Sequence, residues 1–424
     1  MAMSDFTIIS RSLSSRLFST VTTALTVAVA VGLMLTLLSL REAGRDAFSR
    51  GGGNMEILIS RDASPMASVL NAVFYAGAPP RAIEWRKFEE IRDGFPFEFA
   101  IPVQQGDSYR GFPVMATKPE FFREYRPGLR DEWTVERGRI FESPFEVVLG
   151  SRVAEATGLN PGDRIFLTHG AADSPDAHVH YDFDYRVVGV LGRTGTSHDR
   201  ALFTDLVSSW IIHAHDVRQN ADPSVTTTTE ADLTDADRQI TGIYARTAGR
   251  PGAEVSAAWQ MVFNRLRADP TLTVAAPGRE MERLLSIVGE IDSIFIAMAI
   301  VVLVSSGIAI MLALYNSMEQ RRRQIAVLRV LGCSRPRIFG LIVTESAILG
   351  LLGVAGGLVI YFIGAGLVAG AMRQRLGLVI NPVLDPQWTL AVVAGTVLLA
   401  SLAGVVPALM AYRTPVAKNL RPLG

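Results

Sequence analysis

The stretch EQRRRQIAVLRVLGCSRPRIFGLIVTE, residues 319–345, places six arginines in its first nineteen positions. The runs on either side are almost without charge. Residues 293–318 precede it with none, and 338–372 follow with Glu345 alone. Crossing a bilayer core takes ~20 mainly apolar residues in a helix, and both runs exceed that. Further out, 17–40 and 388–412 are also uncharged. A buried helix of a soluble protein explains one such run but not four, so the chain is predicted to cross a membrane four times.

Composition agrees. Hydrophobic residues make up 49% of the chain and charged ones only 19%. Lysine plus arginine equals aspartate plus glutamate at 41 each, so no overall charge points to nucleic acid. Cys333 is the single cysteine, which excludes an intramolecular disulfide. The first apolar run is longer than a signal-peptide core and is followed by REAGRDAF, so it reads as an uncleaved anchor.

Short basic flanks stay on the cytoplasmic side. Arg11 and Arg16 precede the first run, the arginine stretch separates the second and third, and Arg413, Lys418 and Arg421 follow the fourth. Arg373 and Arg375 are a weaker contrary signal. Both termini (1–16 and 413–424) and the segment 319–337 are therefore expected inside. The region 41–285 and the loop 373–387 are expected outside, and 286–318 is read as a stalk continuing into the second span.

Region 41–285 reads as a folded α+β domain. Strands are expected at 55–60, 97–103, 109–117, 239–246 and 271–275, with helices at 82–92 and 253–268. QQGDS (104–108) is read as a turn between two strands. The first and last pieces suit one α/β sheet. Between them, VVLGSRVAEATGLNPGDRIFLTHG alternates strand, short helix, Pro-Gly turn and strand, and 133–209 is assigned as an inserted β-rich subdomain. Residues 220–237 are polar and read as a loop.

All six histidines lie between His169 and His215. The pairs His178/His180 and His213/His215 have the i,i+2 spacing that puts two rings on one strand face. Asp176, Asp182 and Asp216 are close in sequence, which makes these four histidines the candidates if a metal binds. Polar hairpin tips also carry histidines for no such reason, and no H-E-x-x-H or cysteine pattern accompanies them. The reading therefore assigns no metal.

Within the arginine stretch, Ile325, Leu328 and Leu331 recur at three-residue spacing, and Arg322 and Arg329 lie one heptad apart on another side. This predicts a short amphipathic helix. Gly332 suits the position after a helix C-cap, and Ser334 suits the N-cap of the next helix. A helix lying on lipid headgroups would carry such a stripe, and so would one docking into a groove on a cytosolic partner.

From MEQRRRQIAVLRVLGCSRPRIFGLIVTESAILGLLGVAGG the chain resembles the FtsX-like, MacB-type ABC transporter permeases. The likeness extends to the layout of one helix, a large domain and three helices, and to the tail PALMAYRTPVAKNLRP. It implies a four-helix membrane protein with an extracytoplasmic MacB-like domain, an α/β porter-like part bearing the β-rich insert, and a permease domain over about 290–418. It also implies that Arg322, Arg323, Gln324, Ile325, Leu328, Arg329, Leu331 and Gly332 couple to a cytosolic ATPase subunit. The lysines are Lys87, Lys118 and Lys418, none after a glycine, so these residues hold no Walker A motif. ATP and magnesium are expected on the separate ATPase, and no cofactor is expected on this chain.

In the third run, Gly353/Gly357 and Gly366/Gly370 are small-xxx-small pairs, and Ala400/Gly404 forms another in the fourth. They predict tight packing of the last three helices, with contacts to a second permease copy or a sister permease as a further use. Glu345, ~10 Å into its helix, is read as a structural ion pair with a nearby arginine rather than a transport site. The function expected is that of a permease subunit in a bacterial inner membrane. ATP hydrolysis by a partner would move its outer domain on a lipid-like, lipoprotein or peptide cargo, with a periplasmic adaptor or substrate protein as a further partner. The alternative is an FtsX-type regulator that switches on an envelope hydrolase without transport. No G-x-S-x-G or other catalytic set is present, so no enzyme activity is expected from this chain.

Overall fold

The computed structural model describes residues 5–128, 131–170, 178–249, 256–376 and 383–413. It falls into two compact units. One contains the chain up to Gly44, Ile287–Ala371 and the last helix, and the other is chiefly Arg45–Ser286.

The first unit is helical. A short helix, Asp5–Ser14, precedes four long ones at Leu17–Gly51, Pro277–Val330, Arg335–Leu376 and Pro386–Arg413. Each long helix holds a span long and apolar enough to cross a membrane: Leu17–Ala43, Ser293–Asn316, Arg335–Ala371 and Pro386–Tyr412. The last begins where Asp385 accepts from the backbone amide of Gln387 at 2.7 Å, with Pro386 occupying a first-turn position that needs no amide donor. Side chains such as Phe362, Leu367 and Leu390 remain exposed, as a lipid-facing surface requires. The interior is built from Val27, Val31, Leu35, Ile310, Leu314, Leu349 and Tyr361.

Glycine sets how close these helices come. A Cβ on Gly353 would stand 2.3 Å from Val27, and one on Gly357 would stand 2.7 Å from Val31. The third span therefore lies backbone-close to the first, and not only among the last three. Against the fourth span, a Cβ on Gly404 would meet Ser346 at 2.1 Å, and one on Gly350 would meet Ala400 at 2.7 Å. At Gly366 and Gly370 nothing lies within 4 Å among the described residues, which therefore show no close approach there.

The second unit is organised on one mixed sheet. Its strands are β1 (Ile57–Ser60), β2 (Ile83–Glu84), β3 (Phe97–Tyr109), β4 (Phe112–Thr117), β5 (Val135–Gly138), β6 (Glu146–Leu149), β7 (Arg164–Ile165), β8 (Thr168–His169), β9 (His178–Val179), β10 (Tyr185–Leu191), β11 (Leu202–Asp205), β12 (Gln239–Ile240), β13 (Gly242–Thr247) and β14 (Thr273–Ala275). The main order is β14-β1-β13-β3-β4-β11-β6-β10-β5, with β7 on β10 and the β8–β9 hairpin on β3. β2 and β12 form a separate pair.

Strands from the start and end of the domain pair at one side of this sheet, as expected. The segment 133–209 does not form a sheet of its own, however. Its β11 runs parallel to β4, so β6, β10 and β5 continue the same ladder. The sequence shows turn-separated strands, while the pairing of β4 with β11 depends on distant residues that local patterning does not reveal.

Alternation divides the central strands between two cores. Leu58 and Tyr244 face one cluster with Val69, Ala72 and Val73 of the helix Pro65–Phe74. Ile57, Ile59, Ile243 and Ala245 face the other, against Phe88, Trp210 and Phe263 from the helices Trp85–Gly94, Leu206–Ala221 and Trp259–Arg267. Helices thus cover both faces, which is why β1 is buried at all four positions. QQGDS is not a turn. It lies inside β3, where the register against β4 shifts between Gln105 and Ser108, and the reversal comes later at Arg110 and Gly111, both at positive φ.

Candidate functional site

The helix Pro277–Val330 ends as the residues predict. Gly332 has φ 94°, Leu331 and Gly332 donate backmost amides to Val327 and Arg329, and Ser334 begins the hydrogen bonding of the next helix. A side chain at Gly332 would meet nothing within 4 Å, so glycine is favoured there by its left-handed backbone alone.

The predicted coupling residues divide at this end. Ile325 and Ala326 are buried, and Ile325 packs with Met318, Ile338, Ile342, Ala408 and Ala411. Ile325 therefore belongs to the core of its own unit and is not part of a free stripe. Val327 and Val330 are exposed, and Leu331 is 77% exposed, a large cost for leucine unless something covers it. Arg329 is half-buried. The side chains of Arg322, Arg323, Gln324 and Leu328 lie outside the described residues. Close by, the Arg335 guanidinium sits 5.7 Å from the Tyr412 ring centre, a cation–π contact.

Glu345 is buried, and the hydroxyl of Ser12, on the short N-terminal helix, donates to it. Ser12 is a partner that the sequence reading missed, because no local pattern links two residues so far apart in the chain.

In the sheet domain the two histidine pairs part company. His178 and His180, on and just after β9, have ring centres 4.8 Å apart. His213 and His215 lie on the helix Leu206–Ala221 and not on a strand, so i,i+2 spacing turns them ~200° apart. His215 faces Thr228, 3.1 Å from its hydroxyl, and the Phe183 ring. His213 and Asp216, one turn apart, face the β8–β9 hairpin.

Backbone pairing brings the rest together. Past the shift within β3, its far end pairs with β4 again at Ser108 and Tyr109 and also with β8, setting Asp107 opposite His169, and His169 in turn opposite His178. Asp107 Oδ1 then lies 3.3 Å from His169 Nδ1, 3.4 Å from His213 Nε2 and 4.0 Å from His180 Nε2. Asp216 is 3.4 Å from His180 Nδ1 and 3.2 Å from His178 Nε2. Burial alone would raise the Asp107 carboxyl, but His213, His169 and His180 outweigh it and hold it below the usual carboxylate range. Burial likewise opposes the charged form of His213, and Asp107 prevails and raises it. Asp107 and His169 were not among the sequence candidates. Only the i,i+2 pattern was legible, and the rung that joins β3, β8 and β9 is a long-range product.

Residues 20–257 match the family model of the MacB-like periplasmic core domain, and residues 296–416 match that of the FtsX-like permease C-terminal. An uncharacterized ABC transporter permease protein of Mycobacterium tuberculosis is 26% identical over 360 residues, covering 81% of this chain. The chain spans only 37% of that relative's length. The crystal structure of the extracellular domain of the noncanonic ABC-type transporter YknZ from Gram-positive bacteria aligns with 52% of this chain and 98% of its own, at 9% identity and a TM-score of 0.26. A superposition that loose has no bearing on the fold.

Proposed function

This chain belongs to the FtsX-like, MacB-type family of ABC transporter permeases, and from that premise we propose that it is the membrane subunit through which a separate cytosolic ATPase moves the sheet domain. The observation that carries the reading is the two-sided end of the helix Pro277–Val330. Ile325 and Ala326 anchor it in the membrane unit, while Val327, Val330 and Leu331 leave an apolar edge uncovered. An edge fixed on one side and open on the other suits a partner that pushes. The helix itself runs 54 residues without a break, so displacement at one end is carried along a stiff element.

ATP and magnesium would be held by the ATPase and not by this chain. The arrangement we infer is a bacterial inner membrane with both termini in the cytoplasm and the sheet domain in the periplasm. A second permease copy or a sister permease would complete the assembly, and a periplasmic adaptor or substrate protein would be its outer partner. The membrane interior favours moving a body over conducting a solute. Apart from Tyr361 and the buried Glu345, its core is largely aliphatic, and the hydroxyls of Ser306, Ser346 and Thr396 bond to carbonyls of their own helices. A lipid-like, lipoprotein or peptide cargo fits such a path, and the same mechanics would serve to regulate an envelope hydrolase.

Leu331→Asp is expected to lower co-purification of the ATPase at least ~10-fold while membrane insertion is retained, the cost of placing a charge in a desolvated apolar contact. Pull-down of the full chain from detergent-solubilised membranes measures this. Undiminished co-purification of that variant would remove the coupling assignment.

A further inference from the structure

The cluster around Asp107 has features that the permease reading does not use. Three imidazoles point at one carboxylate oxygen, that of Asp107 on β3: His169 from β8, His180 from just beyond β9 and His213 from the helix Leu206–Ala221. The separations of 3.3, 3.4 and 4.0 Å are long for charge-assisted hydrogen bonds, which run ~2.7–2.9 Å. The first two match the ~3.3 Å that separates two ligand atoms on a tetrahedral zinc with bonds of ~2.0–2.1 Å, and the His180 separation is longer. Asp107, His169 and His213 can each turn one donor atom into a sphere small enough for a single ion, and so can His169, His180 and Asp216.

A second observation points the same way. His180 is almost wholly buried, with 2% of its side chain exposed, and its Nε2 has no hydrogen-bond partner among the described residues. That nitrogen faces Asp107, while the opposite nitrogen, Nδ1, faces the Asp216 carboxylate at 3.4 Å. A carboxylate behind an imidazole whose other nitrogen is left open is the arrangement that orients a histidine toward a metal. His213 is held similarly, with Nδ1 3.4 Å from the Ser209 hydroxyl and Nε2 turned to Asp107.

We propose that Asp107, His169 and His213 hold a divalent transition metal, with His180, its open Nε2 4.0 Å from Asp107, closing in as the fourth ligand when the ion binds, and with Asp216 and Ser209 orienting the imidazoles. Three imidazole nitrogens and one carboxylate oxygen suit zinc over magnesium or calcium, which prefer all-oxygen shells. Four protein ligands leave no open position, so the ion is structural: it clamps the β8–β9 hairpin and the end of β3 to the helix Leu206–Ala221.

The test uses the full chain in detergent, stripped with a chelator and titrated with Zn²⁺, with calorimetry and elemental analysis as readouts. Saturable uptake of one ion per chain and a higher melting temperature are expected. His169 is 40% exposed on its side chain, so His169→Ala should fold normally, and it should bind more than ~100-fold more weakly. Asp216→Asn should weaken binding ~10–100-fold, and His215→Ala should leave it unchanged. Co²⁺ in place of Zn²⁺ should give the visible absorption of a four-coordinate site. The proposal is overturned if the wild-type chain shows no stoichiometric uptake, or if a correctly folded His169→Ala protein binds as tightly as wild type.

Discussion

His198 is fully buried in the sheet domain and His213 is partly buried, with 26% of its side chain exposed, and their surroundings drive them in opposite directions. His198 sits among rings: Tyr75, Phe121, Tyr125, Trp133 and Phe203 all lie within about 6 Å of it. Its Nδ1 is 2.7 Å from the Tyr75 hydroxyl and its Nε2 is 3.0 Å from that of Tyr125, so a neutral imidazole donates to one and accepts from the other. Among the described residues no carboxylate pairs with it, and burial pushes its pKa down to about 3. His213 also loses water, yet Asp107 faces it and its pKa rises. Burial favours the neutral form of both, and the carboxylate facing His213 reverses the direction. One histidine is a neutral beam in an aromatic core, and the other belongs to a polar cluster able to hold an ion.

Acid should expose this difference most strongly. The folded-state pKa of His198 is depressed, so the unfolded chain takes up its proton first as pH falls. The stability that His198 contributes is complete above its ordinary value of ~6.5 and is lost progressively between there and about 3. By the lower end the loss should be on the order of 4 kcal/mol. Denaturant titrations across that range, followed by tryptophan fluorescence, should show the slope, and His198→Gln should flatten it. An equal slope in that variant would assign the acid sensitivity elsewhere.

At constant neutral pH, His198→Ala should cost about 3 kcal/mol, combining a cavity with two buried tyrosine hydroxyls left short of a partner. With metal chelated, His169→Ala at the half-exposed rim of the other site should cost under ~0.5 kcal/mol. Comparable losses for both would mean that the two environments do not differ as described. Between these two, Tyr125→Phe keeps the ring packing and removes one hydroxyl, for a loss of about 1 kcal/mol by thermal denaturation.

Much of the molecule was legible from local pattern. The four spans, the break at Gly332 and the strand-helix-turn-strand series around 146–165 follow from runs, caps and turn residues that act within a few positions of themselves. The helix Pro65–Phe74 was missed, although Ser64 caps it and Pro65 begins it, because the segment is short and mostly apolar, with only Ser68 and Asn71 to mark a face. Ile325 and Leu331 looked equivalent on a helical stripe and are not. The stripe predicts which side of the helix is apolar, and only the neighbours Ile338, Ile342 and Ala408 decide which part of that side is already covered.

From its own residues the chain determined a membrane protein with a large mixed domain, because apolar length and charge placement act locally and need no partner. The joining of 133–209 to the main sheet, the meeting of Asp107 with three histidines, and the approach of Gly353 to Val27 were settled only by the tertiary structure. Each depends on contacts between distant positions, and a spacing of two residues cannot by itself say whether its side chains will converge on a strand or diverge around a helix.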